Sequence, residues 1–235
     1  MPEMNELMPL NAVKIDDNTY SIEDNGVRCI LFIGTDRALI VDAGFGNAKG
    51  FRALIESLTD KPLTLVITHG DPDHTGNIAE FDSVYMHPAE IAHFRREVKS
   101  DIDIVPIWER DVFDIGGRLL EVVLIPGHTT GSIALLDRAT RIIVTGDSIS
   151  GGPVFMFGEG REIEAYIASM KKLIGMKDAF DEIYPAHGSL PLPTGQIDKS
   201  LVAANKLLAG ELSPSEPPFP LPAKMYMFDG AGFFY

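Results

Sequence analysis

Apolar positions change period repeatedly along the chain, and the changes divide it into short strands and a few helices. Residues 13–15, 19–22, 27–34 and 37–41 are apolar or alternating runs separated by Asp/Asn-rich turns, which predicts four early strands. Over 49–58 the spacing becomes helical, with Phe51, Leu54, Ile55 and Leu58 on one face. A buried strand is predicted over 63–68, a short helix over 75–81, a strand over 83–86 and a helix over 88–95 with Pro88 near its first turn. Strands follow at 104–107, 112–115 and 119–126, and 133–136 reads as the hairpin partner of 141–144. Helical faces over 162–174 and 196–208 flank a last strand at 182–184. Strands interleaved with helices indicate the α/β class.

Polar residues gather where the apolar runs end. The stretch VITHGDPDHTG, residues 66–76, carries His69, Asp71, Asp73 and His74 just after a buried strand. The first three alternate, so extended backbone projects them to one side, and Pro72 restricts the chain between the two aspartates. Two imidazoles and two carboxylates suit borderline or hard divalent ions. A polar turn with a helix cap is the plain alternative, and for either histidine alone it is as good. The pattern recurs at His128 in PGHTTGS, Asp147 in TGDS and His187 in PAHG. Asp42, in VDAGFG, reads as the anchor of a turn or as a partner of the metal site. His87 and His93 lack ligating neighbours in sequence and read as structural or exposed. The glycine-rich segment 149–160 fits either a cleft cover or a packed loop.

Charge and composition narrow the partners. The formal charge is −14, from 34 acidic and 20 basic residues, and basic residues occur only in short pairs such as Arg95–Arg96, which argues against nucleic acid. Cys29 is the only cysteine, so no intramolecular disulfide forms. No signal peptide is read at the N-terminus and no apolar stretch reaches membrane-spanning length, so a cytoplasmic protein with no membrane partner is expected. No low-complexity linker divides residues 1–235, which read as one domain with a Pro/aromatic-rich tail over 212–235. That tail is too apolar to hang free; it packs on its own chain or forms a homodimer contact.

The ordered set VDAGFG, THGDPDHTGN, PGHTTGS, the GDS turn and PAHG resembles the metallo-beta-lactamase-fold hydrolase superfamily. The resemblance implies a four-layer αββα sandwich whose cleft holds two divalent ions, zinc first, with iron or manganese also accommodated. By position, His69 and His128 would bind the first ion, Asp73, His74 and His187 the second, and Asp147 both. A water or hydroxide between them would attack a small ester-type substrate, thioester or lactone first, with Asp73 orienting or deprotonating it. The family motif has histidine where Asp71 stands, giving HxDxDH here, and the extra anion would favour a harder metal. The same change brings the pattern near the flavodiiron oxygen and nitric-oxide reductases, a redox alternative. A non-catalytic metal-binding protein of the same fold is the other.

Overall fold

The computed structural model describes residues 9–47 and 49–235. The N-terminal stretch in which no signal peptide is read lies outside them over its first eight residues. The first half of the chain forms β1 (Asn11–Asp16), β2 (Thr19–Asp24), β3 (Val27–Ile33), β4 (Ala38–Val41), α1 (Phe51–Leu58), β5 (Leu63–Val66), β6 (Ser83–Met86), α2 (Ile91–Glu97) and β7 (Asp103–Pro106). Its seven strands make one sheet in chain order, antiparallel from β1 to β4 and parallel from β4 to β7.

The second half begins with β8 (Val112–Asp114), β9 (Leu119–Leu124), β10 (Ile133–Asp137), β11 (Ile142–Gly146) and β12 (Pro153–Phe155). It continues through α3 (Ile163–Ile174), β13 (Glu182–Pro185), β14 (Leu192–Pro193), α4 (Gly195–Leu208), β15 (Met225–Phe228) and β16 (Ala231–Phe234). A six-stranded sheet runs β14-β13-β11-β10-β9-β8, and a small one runs β12-β16-β15. The 104–107 and 112–115 runs therefore fall on different sheets.

Side-chain alternation builds the layers. In β4, Leu39 and Val41 face the other sheet, where Leu135 of β10 and Val144 of β11 meet them. Ala38 and Ile40 point the opposite way, into a core shared with Phe51 and Ile55 of α1 and Phe94 of α2. Across the molecule Ala134 and Leu136 of β10 turn toward Tyr166 and Met170 of α3 and Ala204 of α4. Helix, sheet, sheet and helix are thus joined by three cores, the αββα sandwich. Cys29 is fully buried in the second of these, as a small core residue.

One local expectation changes. Residues 75–81 form no α-helix; single 3₁₀ turns occur at Pro72–His74 and Ile78–Glu80. Gly76 and Asn77 donate their N–H groups to the carbonyls of Gly44 and Ala43, so the helical ladder has lost its donors to the neighbouring turn. The tail packs on its own chain: β16 runs parallel to β12, pairing Val154 with Phe233 and Phe155 with Phe234.

Candidate metal centre

The carboxyl ends of β5, β9, β11 and β13 lie at one edge of the two sheets, and the loops leaving them carry all seven residues singled out above. Ligand atoms of Asp73, His74, Asp147 and His187 lie within 4.8 Å of one another, and so do those of His69, Asp71 and His128. Asp147 spans the groups: Oδ1 lies 3.2 Å from His74 Nε2 and 3.3 Å from His187 Nε2, while Oδ2 is 4.0 Å from His128 Nε2.

Every histidine of the centre commits Nδ1 to a partner outside it. His74 Nδ1 donates to Asp42 Oδ2 at 2.8 Å and His128 Nδ1 to the Phe155 carbonyl at 2.8 Å. His187 Nδ1 donates to the Gly26 carbonyl at 3.1 Å. Thr68 gives its hydroxyl hydrogen to Asp42 Oδ2, so Thr68 Oγ1 accepts from His69 Nδ1 at 3.0 Å. These networks commit each Nδ1 and aim four Nε2 atoms inward, where each can take an ion once any proton on it leaves. His69 Nε2 and His128 Nε2 stand 3.1 Å apart. His74 Nε2 and Asp147 Oδ1 are buried without a hydrogen-bond partner. Four inward Nε2 atoms and three carboxylates at these distances are the donor types that divalent ions take, so the donor set fits two metal ions.

The charges agree. Burial works against ionised Asp147, but His74 and His187 hold its carboxyl well below the usual range. Burial likewise opposes a charged His187, and Asp147 and Asp73 outweigh it, raising its pKa to about 10 in the metal-free protein. Burial and then the Arg161 charge lower that of His128, which keeps its ring neutral.

Asp42 takes both roles that its sequence offered, while three other contributors lay outside the sequence reading. Asp42 sits at φ 67° and accepts from Thr68 N at 2.7 Å, Thr68 Oγ1 and His74, so it both anchors its turn and orients a histidine of the centre. Its place directly after an apolar strand was the available signal. His93 is neither exposed nor merely structural: Nε2 bonds Asp71 Oδ1 at 2.6 Å. Arg161 Nη2 reaches both Asp71 oxygens, at 2.9 and 2.8 Å. Glu90 accepts from Gly70 N, Thr129 Oγ1 and Gly131 N, tying two loops of the centre together. For these last three no sequence signal exists, because tertiary folding alone brings them near. His87, by contrast, caps a turn by accepting from Ala89 N.

A cleft of about 600 Å³ opens from Asp71, Asp73, Asp147 and His187. Its far wall is apolar, with Val154, Phe155, Phe219, Met225 and Phe234. The rings of Phe155 and Phe234 pack at 4.8 Å between centroids, and Phe219 lies 5.6 Å from Phe234. The 149–160 segment and the tail therefore build this wall together. Among the described residues no helix is long and apolar enough to cross a membrane.

The family described as "Metallo-beta-lactamase superfamily" matches residues 22–211. The chain is 29% identical over 192 residues to "Acyl-coenzyme A thioesterase MBLAC2" of Gallus gallus, covering 66% of this chain and 69% of that one. It is 26% identical over 195 residues to "Atrochrysone carboxyl ACP thioesterase" of Aspergillus fumigatus, covering 81% and 59%. Among solved structures, the metallo-beta-lactamase from Pontibacter korlensis superposes with a TM-score of 0.71 at 17% identity, over 83% of this chain and 99% of that one.

Proposed function

The chain belongs to the metallo-beta-lactamase superfamily, and on that premise we propose that it is a dinuclear-metal hydrolase cleaving small acyl thioesters. The observation that carries this reading is a converging set of histidine and aspartate ligand atoms at the mouth of a cleft with an apolar wall. The thioesterase activity in the names of its relatives supports the substrate class.

The HxDxDH stretch is read as this chain's form of the family metal motif. His69, Asp71 and His128 would hold the first ion, and Asp73, His74 and His187 the second. Asp147 would be shared through its two oxygens. Zinc suits four imidazoles and three carboxylates, while the three carboxylates also admit iron or manganese. Bound ions supply Lewis acidity for the acyl oxygen and make water easier to deprotonate.

The remaining work falls to the chain. Asp73, in the cleft wall, is placed to orient water toward the acyl carbon and take its proton. The C–S bond then breaks, the thiolate leaves and collects that proton, and the acyl group departs as a carboxylic acid. Phe155, Phe219 and Phe234 would receive the acyl chain and keep water from it. Because the C-terminal strands form part of this wall, residues 1–235 are read as one domain. The apolar wall and the thioesterase relatives favour hydrolysis over the diiron redox alternative.

The test is a series of acyl thioesters of increasing chain length, followed by release of free thiol. Turnover lost on chelation and in Asp73→Asn is expected. A silent thioester series with turnover of lactones or oxygen esters would move the substrate class and leave the hydrolase reading in place.

A further inference from the structure

We propose that Arg161 is a built-in counter-cation of the first cluster and makes that cluster the weaker, later-filling of the two metal sites. The proposal rests on reading both clusters as metal sites. Arg161 comes from the turn between β12 and α3, and its side chain is only 11% exposed. Nη2 is bound to both Asp71 oxygens. Nη1 donates to the His128 carbonyl at 2.6 Å and stands 3.3 Å from His128 Nε2. Since His128 gives its Nδ1 hydrogen to Phe155, Nε2 is the lone pair with which it would take an ion. That lone pair already faces a fixed positive charge.

Asp71 is similarly engaged. His93 holds Oδ1 from one side and Arg161 grips both oxygens from another, which leaves Oδ2 to face His69 at 3.4 Å and His128 at 3.3 Å. The second cluster lacks this arrangement: among the described residues the ion-pair partners of Asp73 and Asp147 are histidines, not lysine or arginine. An ion entering there meets two carboxylates paired only with histidines, which can give up a proton to it, and no guanidinium. An ion entering the first cluster meets a carboxylate already neutralised, beside a guanidinium that repels it. The charge count also explains how aspartate can stand where the family motif has a neutral histidine. Asp71 adds one negative charge, Arg161 adds one positive charge, and the first cluster keeps the balance of an all-histidine site.

The experiment is a zinc titration of metal-free protein against a chromophoric chelator at fixed pH, which needs no turnover. Wild type should bind in two steps whose Kd values differ by at least about tenfold. His128→Asn should remove the weaker step and His187→Asn the tighter one. Arg161→Gln retains a donor for Asp71 without the charge, and should tighten the weaker step by about tenfold while leaving the other within about twofold. Arg161→Lys should keep it weak. Two equal steps, loss of the weaker step in His187→Asn, or a Gln variant whose weaker step is unchanged or weakened would overturn the proposal. If the Gln variant does not fold, the step order in wild type and the histidine variants decides the matter. Absence of any zinc binding would overturn the metal reading itself.

Discussion

Replacing Glu90 tests how the two halves of the centre are held together. Glu90 is fully buried, and Oε1 accepts from Gly70 N at 3.0 Å. Oε2 accepts from Thr129 Oγ1 and Gly131 N, both at 2.8 Å. Gly131 is required for that approach, since a Cβ there would stand 2.5 Å from Glu90 N. The carboxylate therefore bridges the loop after β5, which carries His69 and Asp71, to the loop after β9, which carries His128. In Glu90→Gln the amide nitrogen in the place of Oε1 cannot accept from Gly70 N–H and buries donors of its own, a loss of at least about 2 kcal/mol. At about 2–4 °C per kcal/mol for a chain of this size, Tm should fall by at least about 4–8 °C. Glu90→Ala strands all three donors and should destabilise by about 4–6 kcal/mol, with water recovering part of the loss. Urea unfolding of the metal-free protein, with m unchanged, measures both. If both variants stay within about 0.5 kcal/mol of wild type, the clasp does not exist and the loops are held otherwise.

Three further outcomes follow from the geometry. The raised pKa of His187, about 10, makes its contribution to metal-free stability complete below its unfolded value near 6.5 and lost as pH rises toward 10. Metal-free protein should therefore lose more thermal stability across that window than His187→Asn does, and equal slopes would contradict the assignment. Asp42→Asn removes the ionised acceptor of His74 Nδ1 and should weaken zinc at the second cluster by about 10–100-fold, read by chelator competition; unchanged affinity would show that His74 needs no orienting partner. Phe219, 47% exposed at the cleft wall, should contribute about 1 kcal/mol to acyl-chain binding. Phe219→Ala should then raise KM for long-chain thioesters about fivefold and leave acetyl thioesters unaffected, whereas a uniform change would place the acyl chain elsewhere.

Most of the sandwich was legible because its strands are short, strongly apolar and punctuated by Asp, Asn and Gly. The residues brought together at the centre were legible for a related reason: each sits directly after an apolar run, and in such sheets strand ends converge. What surrounds them was not. Arg161 and Glu90 approach through tertiary packing alone, and His93 acquires its role only when α2 docks beside the Asp71 loop. Strand β12 is three residues long and begins at Pro153, and β16 is interrupted by Gly232, so neither carries a period long enough to read. The helix expected over 75–81 failed because periodicity does not record that Gly76 and Asn77 spend their donors on Gly44 and Ala43.

Two ions held by these clusters should support thioester hydrolysis. The most direct test is the rate of thiol release as zinc is returned, in measured equivalents, to protein stripped of metal. The stripped protein should show no rate above background, and the rate should rise and saturate at two equivalents per chain. Full thioester turnover with no metal returned would contradict this.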